Sequence, residues 1–586
     1  MSESVTPSPP AWVHKRDGRL VPFEADKISR ALFAATESLG RPDAFLAREL
    51  TDGVVHFLSV EQEGAVPTTA QVAESVVKVV RELGQPALSQ VFLEGVRKRD
   101  AVDLDDLAKT PANQITIRLS VDDSPTKVLR DFARSYTLQM VFARDIVAAH
   151  RDGLLALSGL ETPQDLAGCV LELPPPGKTL TEAFFDARNH VANCVAVDGP
   201  EFLISEYLRS IRREQNELAN SIVKRWWIRE LAASLSAAGL RAIVNLNNSS
   251  PPLWAEDLAS GPLFLENPNA PDPKRLTALG HALLADLVHS ERDPLRVNWH
   301  LSGRDFVPEN AERLAEVARH ALDGNSLAFV FDRPRRSVSL GEGMDRRHSS
   351  ALMTLGLNLP RLAEQQGVLG DSTKFLDKLG SLARLALSAG VQKREFLRRV
   401  GKDRPALVRG FLLGRARLLV APIGLESVVR AMTGEGIAQE TGLRFAKQIV
   451  EKLNTVLQKD GLATRLESCL DAPLIQDIGA TQAAENSDSP PTGPLPTLDK
   501  VAGLTTWDAK ASWKSQLKAT GALHSLAGQG TACLLLPEDP VPAPEEVVEW
   551  LSWAWHNTEV MRLRLMRPIP VHQQLTLAIG EKDLPT

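Results

Sequence analysis

Val13-His14-Lys15-Arg16-Asp17-Gly18-Arg19-Leu20-Val21-Pro22-Phe23 is the stretch from which the front of this chain can be read. Two short runs flank Asp17-Gly18, a pair suited to a tight turn because glycine tolerates positive φ. The stretch predicts a hairpin with Lys15, Arg16 and Arg19 near its tip. Just beyond, Asp26 is placed to cap a helix whose Ile28, Ala31, Leu32 and Ala35 recur at helical spacing. Phe45, Leu46, Leu50 and Val54 form a second such face. Thr69 precedes a third, Val72, Val76, Val79, Val80 and Leu83, with Gly84 as its stop. Leu88, Val91, Phe92 and Val96 make a fourth, which ends in Arg97-Lys98-Arg99. One hairpin and four amphipathic helices over residues 1–100 can bury a small core of their own. Residues 101–113, acid-rich at 101–106, read as a linker.

The whole chain has 586 residues, too many for one ordinary core, and two or more domains are expected. Hydrophobic residues make up 43% and charged residues 24%, the balance of a globular protein rather than a disordered, fibrous or largely membrane-embedded one. The net charge of −6 comes from 73 acids against 67 bases, which gives no reason to expect nucleic acid or an anionic membrane as partner. Cys169, Cys194, Cys469 and Cys533 are scattered without a CxxC pair, a pattern expected of the reducing cytoplasm. The first eleven residues lack the apolar stretch of a signal peptide. The most apolar helical stretches are broken by charge, as by Arg415 and Arg417 before 418–423, so no membrane-spanning helix is expected. The twelve histidines show no metal-binding spacing, and no metal is expected.

Residues 114–586 read as one α/β domain. Short β-branched or apolar runs at 242–247, 295–299, 327–331 and 353–358 alternate with helical patterns such as 311–322 and 442–457. Residues 481–497 hold a polar, proline-rich break, read as a surface loop. Strands at 531–536, 559–565 and 575–579 and a helix at 544–557 complete the pattern.

The KRDGR run at 15–19, with Asp26-Lys27-Ile28 behind it, closely resembles the ATP-cone, the nucleotide-sensing module of ribonucleotide reductases and of their repressor. The resemblance covers about the first hundred residues. It implies an allosteric site for ATP or dATP, in which Val13, Lys15, Arg16, Lys27 and Ile28 surround the base and phosphates. Asp17, Gly18 and Arg19 belong to the same hairpin, Thr69 would hydrogen-bond from the next helix start, and Arg97 would close the site. The physics agrees, since cations beside free helix N–H groups attract a triphosphate. Exposed Lys and Arg are common on any surface, so the charges alone would not mark a site.

The body is similar, more weakly, to the anaerobic (class III) ribonucleotide reductases, glycyl-radical enzymes built on a ten-stranded α/β barrel. The landmarks run in order: the helix-to-strand passage His150–Leu157, Gly168-Cys169-Val170, Asn298-Trp299-His300 with Pro308-Glu309-Asn310, and the strand at 328–331. Gly356-Leu357-Asn358-Leu359-Pro360-Arg361 matches best, followed by Gly424-Leu425-Glu426-Ser427, Met432–Gly436 and Gly521–His524. The resemblance implies two radical positions, a cysteine on a loop inside the barrel and a glycyl radical near the carboxyl end. The interval 332–350, where the cysteine belongs, holds none, and serine cannot replace it because an O–H bond is too strong for the radical exchange. Gly580 lacks the glycyl-radical context. The expectation is therefore a degenerate barrel behind an ATP-cone, a regulatory paralogue that binds nucleoside triphosphates and pairs with a catalytic reductase or with itself. An active reductase-like enzyme, or a barrel doing non-radical chemistry on nucleotides, is the alternative. The cluster Arg333–Arg336 with Arg346, Arg347 and His348 is read either as a solvated loop or as a seat for a triphosphate or an acidic partner.

Overall fold

Trp12–His14 (β1) and Leu20–Pro22 (β2) pair antiparallel with Val13 opposite Val21. The Lys15 N–H donates to Arg19 O at 2.9 Å and the Gly18 N–H to Lys15 O at 3.0 Å, with Gly18 at φ 81°. Gly18 thus takes the left-handed conformation that a tight turn at Asp17-Gly18 asks of its glycine. Four helices follow, Ala25–Ser38 (α1), Ala44–Glu61 (α2), Thr69–Glu82 (α3) and Pro86–Arg99 (α4). Asp26 does not cap α1. Glu24 holds the cap position without a side-chain bond, and the Asp26 carboxylate accepts from Arg48 and Ser388 instead. At α3 the cap is Thr68, whose hydroxyl and backbone exchange hydrogen bonds with Gln71.

The computed structural model describes residues 9–15, 18–61, 66–99, 124–170, 192–201, 204–205, 225, 228, 241–247, 273–288, 295–323, 327–334, 336–402, 413–471, 511–537 and 540–566. The expected linker 101–113, the loop 481–497 and the strand 575–579 lie outside them. In the body, α5 (Pro125–Met140) and α6 (Arg144–Arg151) lead into β3 (Leu155–Leu157), β4 (Gly168–Val170), β5 (Cys194–Asp198) and β6 (Arg241–Asn247). Next come α7 (Pro273–Val288), β7 (Leu295–Leu301), α8 (Ala311–Asp323), β8 (Leu327–Phe331) and the hairpin β9 (Ser339–Gly341) with β10 (Met344–Asp345). The remainder is β11 (Ser350–Asn358), α9 (Leu359–Ala363), α10 (Ser372–Val400), β12 (Arg417–Ile423), α11 (Leu425–Thr433), α12 (Glu440–Thr464) and β13 (Ser468–Leu470). It ends with α13 (Trp513–Ala527), β14 (Ala532–Leu535), α14 (Pro544–Asn557) and β15 (Arg562–Met566).

Ten strands run in the order β13-β12-β11-β4-β5-β6-β7-β8-β15-β14, and β3 pairs with β11 off this path. Strands β4 to β8 are mutually parallel, as are β11 to β13 and β14 with β15. The two sets meet antiparallel at β4–β11 and at β8–β15. A central run of five parallel strands is thus flanked at one end by three strands and at the other by two, all five running against it, in the α/β architecture expected. The stretch 418–423, read as helical, is strand β12, buried at every residue between β11 and β13. A strand buried on both faces shows no alternation, so its apolar run cannot be told from a helix by pattern.

The sheet wraps around the β9–β10 hairpin. Leu340 and Met344 pack with Ala196, Ala351 and Leu419 in a small inner cluster, apart from the main core, which holds their strand neighbours Val195, Val197, Leu352, Leu418 and Val420. Alternate residues of one strand thus face inside and outside. The hairpin touches β12 through Arg417, β6 through Asn245 and β15 through Arg562. Strands so far apart in the sheet order can share one hairpin only if the sheet is curled about it.

Candidate functional sites

The hairpin is stitched to the start of α3. The His14 N–H donates to Pro67 O at 2.9 Å, and His14 bridges Thr68 in parallel. This sets His14 of the hairpin beside Pro67 and Thr68, the residues just before Thr69, with which α3 begins. Val13 and Ile28 are buried, Lys15 and Thr69 half-buried, and Arg19 exposed. Lys27, in the first turn of α1, is exposed and pairs with Glu24 at 3.1 Å. An ion pair this open to solvent is worth at most about 1 kcal/mol and yields readily to a stronger anion. Arg16 and Asp17 lie outside the described residues, as does the side chain of Arg97.

The other side of α1 and α2 is bound to the barrel helix α10. Asp26, next in sequence to Lys27, accepts from Ser388 Oγ at 2.6 Å and from Arg48 at 2.7 Å. Asp52 accepts from Ser381 Oγ at 2.6 Å and from Arg384 at 2.7 Å, and Glu49 pairs with Lys378 at 2.6 Å. Arg384 reaches on to Asp460 of α12 at 2.8 Å. Burial works against the Arg48 charge, but Asp52 and Asp26 outweigh it and hold the guanidinium above its ordinary value. Nothing in the sequence pattern signalled this seam, because its residues look like the polar faces of two separate helices.

Inside the barrel the β9–β10 turn reads Gly341-Glu342-Gly343, with φ of 101°, 47° and 73°. A Cβ on Gly341 would lie 2.7 Å from Ile243, and one on Gly343 only 2.4 Å from Leu419, so the turn threads a passage that side chains would block. A buried polar chain holds the hairpin in place. Asp332 meets His300 Nδ1 at 2.9 Å, His300 Nε2 meets Asn245 Oδ1 at 3.1 Å, and Asn245 Nδ2 donates to Leu340 O at 3.3 Å. On the far strand of the hairpin Asp345 pairs with Arg417 at 2.9 Å, and Arg346 pairs with Asp198 at 3.1 Å. The basic cluster read from 333–348 is thus divided. Arg346 is buried against Asp198, while Arg333 donates to the carbonyls of Trp555, Ala554 and Val560 and stacks on Trp555. Arg333 and Arg346 are therefore engaged by the protein itself, while Arg347 is exposed and Arg335 lies outside the described residues.

Glu342 lies beside the Cys194 thiol and pairs with Arg241 at 3.4 Å. Burial, then the Glu342 charge, raises the Cys194 thiol well above its ordinary value, so it stays protonated. Burial likewise holds Cys469 at about 12. Glu342 and Arg241 also line a polar cavity of about 90 Å³ with Ser158, Asn193, Thr354 and Lys393. Among the described residues no group of three or more His, Cys, Asp or Glu is arranged to hold a metal ion. No helix among them is long and apolar enough to cross a membrane.

Residues 12–101 match the ATP cone domain family. The front of this chain is an ATP-cone domain. No curated protein matches the sequence. Behind the cone, the body is similar to the anaerobic ribonucleotide reductase from Thermotoga maritima solved with dATP and CTP. That likeness has a TM-score of 0.57 at 13% identity and covers 75% of this chain and 82% of that one. The same reductase with MES in its active site aligns with a TM-score of 0.56 at 14% identity, over 83% of this chain and 91% of that one. A further anaerobic ribonucleotide reductase gives 0.54 at 13%, over 75% and 80%. At such identity the shared property is the fold, a barrel of the glycyl-radical kind wrapped around an interior loop.

Proposed function

We propose that this protein is a nucleotide-binding regulator related to anaerobic ribonucleotide reductase, with ATP or dATP as allosteric ligand and a barrel that does not reduce ribonucleotides. One observation carries the non-catalytic reading. The loop at the barrel centre, where the resemblance asks for a radical cysteine, turns at Gly341-Glu342-Gly343 and has no thiol anywhere in 332–350. A carboxylate cannot exchange a hydrogen atom as a thiol does. Cys194 is nearby but protonated, buried and carried on a strand rather than on the loop.

The cone would hold nucleoside triphosphate with Lys15, Arg16, Arg19 and Lys27 toward the phosphates and Asp17 and Gly18 forming the hairpin turn of the pocket. Val13, Ile28, Thr69 and Arg97 would complete the pocket. The stitch between hairpin and α3 and the lightly held Lys27 support this arrangement. The seam from Asp26 to Ser388 supports regulation, because a ligand that moves the first turn of α1 acts directly on a barrel helix. The four free cysteines are in keeping with the cytoplasm. The partner is a catalytic reductase or a second copy of this chain.

Strictly anaerobic assay of ribonucleotide reduction, with and without a radical-activating enzyme and with spin spectroscopy in parallel, tests the reading. Neither deoxynucleotide nor an organic radical is expected. Product above background would refute it, and loss of that product in Cys194→Ala would identify the thiol at work.

A further inference from the structure

We propose that Lys393 is a nucleophilic amine on the wall of the polar cavity lined by Arg241 and Glu342, a site for a small carbonyl compound that carries an anionic group. This inference is independent of whether the cone binds nucleotide or the barrel reduces it.

Lys393 projects from α10 and is 3% exposed. Its Nζ donates to Pro163 O at 2.5 Å, a single neutral acceptor for a group with three N–H bonds when charged. Burial lowers its pKa to about 7, with the Asp165 charge only partly opposing the shift. A large share of the amine is therefore neutral at physiological pH, and the neutral amine is the nucleophile. Buried lysines are usually paired or absent, so one hydrogen-bonded to a carbonyl at a cavity wall, with the Asp165 charge too weak to offset its burial, is a candidate for chemistry rather than packing.

The cavity sets the ligand class. Its volume of about 90 Å³ admits a compound of a few heavy atoms, since one water needs roughly 10–15 Å³ of such space. A nucleotide does not fit. Arg241, whose guanidinium also pairs with Glu342 at 3.4 Å, has five N–H groups and can turn part of its fork to a carboxylate or phosphate, and Ser158, Asn193 and Thr354 line the same space. The step balances without any co-reactant. The Lys393 nitrogen attacks the carbonyl carbon, the carbonyl oxygen takes a proton, and the carbinolamine loses water as the C=N bond forms. Both protons of the neutral amine leave in that water, the first passed to the carbonyl oxygen and the second lost as the C=N bond forms. Asp165 and Glu342 line the cavity where such a proton can be passed.

The test uses the full chain with glyoxylate as the anionic probe and acetaldehyde as the uncharged one, each trapped by borohydride at pH 7.5 and mapped by peptide mass. At that pH a pKa near 7 gives several hundred times more neutral amine than an ordinary lysine, and its weaker basicity returns part of that gain. Lys393 is expected to be labelled roughly tenfold faster than the average of the other lysines, saturably, and by glyoxylate at lower concentration than by acetaldehyde. Arg241→Gln should abolish the glyoxylate preference while acetaldehyde still labels Lys393, which also shows that the variant folds. Labelling confined to exposed lysines, with Lys393 unmodified in the wild-type protein, would overturn the proposal. A glyoxylate preference that survives Arg241→Gln would overturn the anionic part of it.

Discussion

Replacing Lys393 by methionine isolates the cost of burying an amine, and the cost depends on pH in a way that can be worked out beforehand. The group falls from 10.5 in the unfolded chain to about 7 in the folded protein. Between those values the unfolded state holds the proton and the folded state does not, so stability rises with pH across the window. Above 10.5 both states are neutral and the penalty vanishes; below about 7 it is complete. Each pKa unit is worth about 1.4 kcal/mol, which gives a penalty of about 4 kcal/mol at pH 7 and about 1 kcal/mol at pH 10. Methionine is close in length, carries no charge and leaves Pro163 O without its donor, at a constant cost of about 1 kcal/mol. Lys393→Met is therefore expected to be more stable than wild type at pH 7, and to lose about 3 kcal/mol of that advantage by pH 10. Urea unfolding of both proteins at the two pH values measures the difference directly, and other alkaline titrations cancel between them. A stability difference that does not change with pH would refute the assignment of a depressed amine.

His524 offers the complementary experiment in acid. Burial, aided by Arg562 and Arg336, lowers it from 6.5 to about 3, so the unfolded state protonates first and stability is lost as pH falls from 6.5 toward 3. His524→Gln should remove about 2 kcal/mol of the wild-type loss between pH 7 and pH 5, read from urea midpoints. In the cone, Lys15→Ala and Lys27→Ala should each weaken ATP binding about tenfold by titration calorimetry on the full chain; unchanged affinity in both would remove the proposed pocket. In the central turn, Gly343→Ala combines positive φ with a Cβ 2.4 Å from Leu419 and should cost more than about 3 kcal/mol. Gly18→Ala, at φ 81° with nothing within 4 Å, should cost only about 1 kcal/mol; equal melting temperatures for the two variants would contradict this account of the barrel interior.

The parts of this fold that were legible are those whose periodicity reports one buried face. The stripes of α1 to α4, the strands β6, β7, β8 and β11 and the helices α8 and α14 fall within a few residues of where the pattern placed them. Strand β12 was misread because both its faces are buried, which erases alternation. The cap of α1 was misread for a different reason. An aspartate at a helix start is usually spent on local N–H groups, but Asp26 is spent on Ser388, more than three hundred positions away. The cavity escaped notice for the same cause. Ser158, Asn193, Arg241, Glu342 and Lys393 come from five separate places in the chain and share no motif. What could have signalled it was a lysine within the apolar stripe of α10, among Ala386, Ala389 and Leu397.

Helix α10 ties these features together. At Ser388 it receives the Asp26 carboxylate of the cone, and one turn on the Gln392 amide donates to the same Ser388 hydroxyl at 3.1 Å. Gln392 also accepts from the Ala143 N–H at 2.6 Å, where α6 begins, and the next residue, Lys393, faces the cavity beside Glu342. If a nucleotide binds two positions of the first turn of α1 with different affinity, any change in α10 that shifts the balance between them alters nucleotide affinity by the same linkage. Equal affinity for both positions would transmit nothing, however tight the binding. The hydrogen bonds from Ser388 to Asp26 and from Ala143 to Gln392 give such a change a physical route between cone and barrel. The short polar seam of Asp26, Asp52 and Glu49 against α10 is one place where a difference between ATP and dATP can be expressed.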